Sequence, residues 1–308
     1  MSGYRTRDVP VRGGMLRVGC WQHGEPDRVV LAVHGITSSH RAWTLVAERF
    51  TEQPGTLLLA PDLRGRGRSA DLPGPYGMAQ HTEDLIAVLQ TCAAGRPVVL
   101  AGHSMGGFVA VLLAADRPEL VTGLVLVDGG LPLVLPAGWS LAEAARVGLG
   151  PAAARLERTF ADPAAYRAFW AEHPAFADGF STVVRDYVDY DLRPDGPPWR
   201  SSSVPEAMFT DHAEQFADGP VDLAWPRVTT PVTFLRAPRG LQDEPGGLYP
   251  EPALHYWQQQ HPGFEWRNVP DVNHYTITLG DAGAAAVSAA ISERLCWSSG
   301  PLSWVADK

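Results

Sequence analysis

Between residues 97 and 115 three kinds of sequence follow one another without a spacer. Pro-Val-Val-Leu-Ala (97–101) is a short apolar run of the type a buried parallel strand uses. Gly102-His103-Ser104-Met105-Gly106-Gly107 is a glycine-bounded turn, and residues 108–115 are apolar and alanine-rich, as a helix requires. A strand that passes through G-x-S-x-G straight into a helix sets one serine hydroxyl on a sharp bend at the end of a sheet. Glycines around a serine would by themselves indicate an ordinary turn. The strand and helix on either side make Ser104 a candidate nucleophile.

The surrounding pattern is that of an α/β chain. A ribbon is expected at 9–11 and 15–22, turned by Gly13-Gly14, and buried strands at 28–33, 56–60, 97–101 and 124–127. Helical runs at 43–50 and 78–93 alternate with them, which predicts a mostly parallel twisted sheet flanked by helices. From about 135 to 225 the chain changes to alanine, proline and aromatics, with helical patches at 141–147, 152–160 and 164–171. Sheet-like sequence resumes at 231–236 and 264–269, and a last helix is expected at 282–295. The reading is one core domain, 1–134 and 226–308, interrupted by a helical insertion at 135–225.

Composition removes several function classes. The formal net charge is −9, opposite to what a nucleic-acid or anionic-membrane surface needs. The only lysine is Lys308, so Schiff-base chemistry, a pyridoxal phosphate site and a Walker-type phosphate loop all lack their interior lysine. Cys20, Cys92 and Cys296 have neither metal-site spacing nor an even count, and the polar first ten residues contain no apolar segment. A cytoplasmic protein with no metal, no cofactor and no membrane span is expected; oligomeric state is not legible.

A serine hydroxyl needs a general base. His274 is the best placed of the ten histidines, in Asp271-Val272-Asn273-His274-Tyr275 on the loop that leaves the last predicted strand. Oxyanion donors are expected from the Met105 amide, directly after the serine, and from the Ile36 amide in His34-Gly35-Ile36-Thr37. Two carboxylates compete to orient His274. Asp128 ends an apolar strand and enters a Gly-Gly turn, where an unpartnered carboxylate would be costly; Asp243 lies several residues beyond the 231–236 strand. Asp128 ranks first and Asp243 second, with Asp271 fixing the histidine loop.

Together these residues resemble the alpha/beta-hydrolase superfamily. The resemblance rests on His34-Gly35, on Pro61-Asp62-Leu63-Arg64-Gly65-Arg66-Gly67-Arg68-Ser69, on the elbow at 102–107 and on the late His274. It implies the chain order Ser104, Asp128, His274, and a structural turn for Arg64, Arg66 and Arg68 rather than an anion cradle. Relatives usually carry the acid just after the strand matching 231–236, where this chain has Ala237-Pro238-Arg239. Some carry it after the strand matching 124–127, as Asp128 would be.

The insertion then resembles a cap over the serine. Trp139, Phe160, Tyr166, Phe169, Trp170, Tyr187, Tyr190 and Phe209 are aromatic candidates for lining a pocket or packing the cap itself. The expected substrate contacts are Gly35, His103, Trp43, Trp139, Phe169, Trp170, Tyr187 and Tyr275. The implied activity is serine hydrolysis of a carboxylic ester or lactone of a small apolar or aromatic molecule, of carboxylesterase or lactonase type. C–C bond hydrolysis, acyl transfer or cyclisation on the same residues, or ligand binding without turnover, are the alternatives. Serine at the elbow argues against the haloalkane dehalogenase and epoxide hydrolase branches, which use aspartate there.

Overall fold

The computed structural model describes residues 3–52, 55–135, 137–141, 143–144 and 154–297. Lys308, most of the helical patch expected at 141–147 and the start of that at 152–160 lie outside the described residues. Eight strands form one sheet in the order β1-β2-β4-β3-β5-β6-β7-β8. They are β1 (Gly3–Val11), β2 (Gly14–His23), β3 (Arg28–Val33), β4 (Thr56–Pro61), β5 (Val98–His103), β6 (Val121–Val127), β7 (Val232–Arg236) and β8 (Phe264–Asn268). The β1–β2 and β2–β4 pairs are antiparallel, and every pair from β4 to β8 is parallel. The expected mostly parallel sheet is the one observed.

The central strands are apolar throughout because both sheet faces are covered. Successive residues alternate between two cores: Leu31, Leu59, Leu100 and Leu124 join one cluster, while Val30, Leu58, Val99 and Val125 join the other. The first cluster packs against α2 (Met78–Ala93) and α3 (Met105–Asp116); the second packs against α1 (Thr44–Glu48) and the helix Asp281–Trp297. The outermost strand, β1, is largely exposed, which matches its sequence Gly-Tyr-Arg-Thr-Arg-Asp-Val-Pro-Val.

The segment between β6 and β7 divides by packing. Phe160, Tyr166, Trp170, Phe176, Tyr187 and Leu192 form an aromatic cluster of their own, closed by Ala42 and Leu279. Met208, Val221, Ala224 and Trp225, which precede the expected boundary at 225, belong instead to the first sheet core. Tyr187 lies on the helix Thr182–Asp191, Met208 on Pro205–Ala213, and Val221 and Ala224 on Pro220–Ala224. Among the described residues no helix is long and apolar enough to cross a membrane.

Candidate active site

The elbow is tighter than the sequence suggests. β5 continues through His103 and α3 begins at Met105, so Ser104 alone makes the turn. Its φ of 53° and ψ of −126° are unusual for a side-chain-bearing residue, a strained backbone of the type that concentrates at functional sites. Two bonds hold the bend: Ser104 N–H donates to the Val127 carbonyl at 3.0 Å, and Gly107 N–H donates to the Ser104 carbonyl at 2.9 Å. Both motif glycines are needed for room. A Cβ at Gly102 would be 2.4 Å from the Gly106 carbonyl oxygen, and one at Gly106 would be 2.1 Å from that of Val33. Ser104 itself is half-buried while residues 101–103 and 105–110 around it are buried.

His274 and Asp128 meet beside this bend. His274 Nδ1 and Asp128 Oδ2 are 2.7 Å apart, and both residues are buried. An ionised carboxylate only accepts, so His274 Nδ1–H donates and Nε2 of the neutral ring is left unprotonated. Asp128 is fixed at both ends of the peptide that follows β6. Its N–H donates to the Leu235 carbonyl at 2.8 Å, and its Oδ1 accepts from Ala237 N–H at 3.1 Å. Asp243, the second-ranked acid, is elsewhere: it pairs with Arg239 at 2.8 Å and accepts from Asn273 Nδ2 at 2.9 Å. Expected to lack a nearby acid, the β7 end instead supplies the Ala237 amide that steadies Asp128.

Asn273 is the organiser that the sequence reading missed. Its Oδ1 accepts from the Tyr275 and Thr276 amides at 3.0 and 2.9 Å, starting the one-turn helix Thr276–Leu279, and its Nδ2 reaches the Ala175 carbonyl at 2.9 Å. The signal was an asparagine three residues ahead of the helix start at Thr276, a residue type whose side chain accepts from the amides that follow it. His103 adds a second clamp, with Nε2 2.9 Å from the His274 carbonyl oxygen. Burial, followed by the proximity of His274, holds the His103 imidazole well below the usual histidine range, so it is neutral and donates from Nε2.

The loop after β3 runs directly past the serine: a Cβ on Gly35 would be 3.1 Å from Ser104 Cβ. Buried His34 braces it, its Nε2 accepting from Leu63 N–H at 2.9 Å and its Nδ1–H donating to the Gly35 carbonyl at 2.7 Å. Burial brings the His34 imidazole down to about 4. Arg66 ties this loop to the elbow, donating from Nε to the Ile36 carbonyl at 2.8 Å while its Nη2 lies 3.9 Å from Met105 Sδ.

The three arginines after β4 all serve the protein's own structure. Arg64 makes a fork with Asp84 at 2.8 and 3.0 Å, Arg66 pairs with Asp211 at 2.6 Å, and Arg68 lies 4.3 Å over the Tyr190 ring. Burial alone would raise the Asp211 carboxyl, but Arg66 and then His81 hold it at about 2.

A cavity of about 30 Å³ adjoins Ser104; Gly35, Ile36, His103, Tyr187, His274 and Tyr275 are in its wall, with Leu241 at one side. Tyr187 comes from the aromatic segment and donates to Ser38 Oγ at 3.2 Å. Four of the expected substrate contacts sit elsewhere. Trp43 is fully buried in the second sheet core, because the helix carrying it turns inward. Trp170 is buried in the aromatic cluster and meets Tyr275 edge-on at 5.9 Å, one layer behind the wall. Phe169 faces a surface cleft with Arg158 and His173, and Trp139 borders a separate cavity. Among the described residues no three His, Cys, Asp or Glu side chains are grouped to hold a metal ion.

Residues 29–290 match the model of the alpha/beta hydrolase family. The chain belongs to the alpha/beta hydrolase family. Among its relatives, Lipase LipV of Mycobacterium tuberculosis is 34% identical over 68% of this chain and 74% of the lipase. A putative carbamate hydrolase, RutD of Klebsiella pneumoniae, is 36% identical, over 34% of this chain and 39% of its own length. The crystal structure of E-2-(acetamidomethylene)succinate hydrolase superposes with a TM-score of 0.76 at 23% identity, covering 95% of this chain and 99% of that one. That likeness concerns the fold. Family membership supports hydrolase activity on a small molecule; the bond cleaved is a separate question.

Proposed function

We propose that this hydrolase cleaves a carboxylic ester or lactone of a small apolar or aromatic molecule through Ser104, His274 and Asp128. The observation that carries the reading is the 2.7 Å contact of His274 Nδ1 with Asp128 Oδ2 in the wall of the cavity that holds the half-exposed Ser104. Ser104 Oγ transfers its proton to His274 Nε2 and bonds to the substrate carbonyl carbon. The Ile36 and Met105 amides receive the oxyanion, and Asp128 stabilises the imidazolium. Collapse breaks the ester C–O bond, and His274 returns its proton to the departing alkoxide. Water, deprotonated by the same imidazole, then releases the carboxylic acid and restores Ser104. The aromatic segment that contributes Tyr187 acts as a cap, and the apolar wall selects apolar acyl or alcohol groups. The lipase relative favours an ester over other acyl substrates.

The test is labelling by a fluorophosphonate, followed by turnover of aryl esters, aliphatic esters and lactones. Wild type should label at one site and hydrolyse at least one ester class; Ser104→Ala should not label and should lose turnover by several orders of magnitude. Equal labelling of the two proteins would remove Ser104 from the mechanism. Labelling without turnover of any ester or lactone would move the chemistry to another acyl bond.

A further inference from the structure

The Ile36 amide receives an oxyanion only if it is aimed at the carbonyl that Ser104 attacks. Its direction is set by a four-residue turn, in which Ser38 N–H donates to the Gly35 carbonyl at 3.2 Å. In a trans peptide the C=O and the N–H point in opposite directions. The Gly35 carbonyl also accepts from His34 Nδ1–H, so the Ile36 N–H is turned away from both donors. The same rule applies at the other end of the turn. Whatever holds the Thr37 carbonyl also aims Ser38 N–H back at Gly35.

Arg155 holds that carbonyl. Its Nη2 donates to the Thr37 oxygen at 3.2 Å, and the side chain is 1% exposed. Among the described residues the Thr37 carbonyl has no other hydrogen-bond partner. The preceding peptide is held from the core, by Arg66 Nε on the Ile36 carbonyl at 2.8 Å. Tyr187 reaches the Ser38 side chain and leaves the main chain of the turn untouched.

Arg155 precedes the aromatic segment and is anchored against it. Its Nη1 lies 3.3 Å from Asp191 Oδ2, and its guanidinium lies 4.8 Å over the Trp170 ring. Asp191 is fixed in turn by the Tyr166, Ser201 and Ser202 hydroxyls, and Ser202 Oγ accepts from Gly67 N–H at 3.0 Å in the turn after β4. The ion pair is longer than the fork of Arg64 on Asp84, at 2.8 and 3.0 Å, and Arg155 Nε has no partner among the described residues. A buried pair of that quality gains little over an apolar side chain of similar volume. What an apolar side chain would not supply is a donor to the Thr37 carbonyl.

We infer that Arg155 is a positioning residue for the oxyanion hole: by fixing the Thr37 carbonyl it closes the Gly35–Ser38 turn and aims the Ile36 amide. The inference rests on Ser104 being the nucleophile, as proposed above.

The test compares Arg155→Lys and Arg155→Met with wild type on the best ester of the panel and on the matching trifluoromethyl ketone. Ser104 Oγ adds to the ketone carbon, its proton passes to His274, and the ketone oxygen becomes an oxyanion at the same place. Lysine keeps the charge beside Asp191 but has no planar fork to span Asp191 and Thr37 together, so kcat should fall about tenfold. Methionine removes the donor and should cost about a hundredfold, close to the loss of one oxyanion donor. In both variants KM should stay within about threefold, and the ketone should bind more weakly by the factor lost from kcat. Tyr166→Phe removes a bond to Asp191 without touching Thr37 and should leave kcat within about twofold. Thermal melting checks that each variant folds, and Arg155→Lys with Tyr166→Phe stand without Arg155→Met. A wild type that fluorophosphonate does not label would overturn the serine reading and this inference with it. With wild type labelled, an unchanged kcat in Arg155→Lys, a loss confined to KM, an unchanged ketone affinity or an equal fall of kcat in Tyr166→Phe would each overturn this inference alone.

Discussion

The strand ends beneath Ser104 and the aromatic segment beside it are built by different physics. At the strand ends, Ser104, Asp128, His34 and His274 are each held by main-chain hydrogen bonds between neighbouring strands or loops. Arg66 and Asp211 add a fully buried ion pair. Positions there are set by directional contacts. In the aromatic segment, Phe160, Tyr166, Trp170 and Phe176 pack ring on ring at centroid distances of 4.8 to 5.9 Å. Such contacts are large and less directional than hydrogen bonds, which tie the segment to the core only around its edge, as where Tyr190 donates to Asp62 and Asn273 to the Ala175 carbonyl. One region is suited to fixing reacting atoms, the other to shaping space around them.

The sharpest way to break that contrast is to damage one carboxylate in each kind of surroundings. Asp128→Asn keeps the size of the side chain but removes the charge that orients His274 Nδ1–H. Turnover should fall by about four orders of magnitude, as expected when the orienting acid of a triad is lost. Asp243→Asn loses only the contacts to Arg239 and Asn273, and Asn273 keeps its bond to Ala175. A loss of about tenfold or less is expected. Steady-state kinetics on the best ester of the panel decides between them, and equal losses would mean that Asp128 is not the acid.

The same contrast explains what could be read from sequence. Helix α2 was legible residue for residue, since its apolar positions recur at helical spacing over 16 residues. β3 was equally clear, as a continuous apolar run ended by His34-Gly35. The elbow, His274 and Asp128 were legible because each sits at the end of a recognisable strand, and the sheet brings those ends together. The strand and helix around Ser104 were drawn one to three residues short, because glycine argues against both elements locally and only close packing makes it necessary. The aromatics were not legible. Trp43, Trp139, Phe169 and Trp170 look alike in sequence, and which of them borders the serine depends on how short helices are rotated against one another. Asn273 was overlooked because its role lies in four hydrogen bonds across three parts of the chain.

Acid should strike the strand ends first. His34 has its folded-state value at about 4, against about 6.5 for an ordinary histidine. Between those two values the unfolded chain takes up a proton that the folded protein does not, so stability falls as pH drops from 6.5 towards 4. His212, brought to about 4 by burial, adds to the same window with the same sign. Each group contributes a slope of up to about 1.4 kcal/mol per pH unit. Asp211, held at about 2, contributes in a lower window: its stabilisation is complete above the ordinary aspartate value near 3.8 and is lost as pH falls towards 2. Urea midpoints measured from pH 7.5 to 4 should decline most steeply below 6.5. A flat profile down to 4 would show that these imidazoles gain protons without unfolding.

The smallest effect should come from the single hydrogen bond that the Tyr187 hydroxyl makes across the junction. That hydroxyl donates to Ser38 Oγ at 3.2 Å, while the ring stays buried in the aromatic cluster. Tyr187→Phe keeps the ring contacts and removes one neutral bond, worth about 0.5–1.5 kcal/mol. If the segment only shapes space, KM should rise by less than about tenfold while kcat stays within a factor of about two. A fall in kcat comparable to that of Asp128→Asn would mean that the tyrosine hydroxyl takes part in the chemistry. The division between a directional floor and a space-filling neighbour would then have to be redrawn, with Tyr187 placed among the groups that touch the reacting atoms.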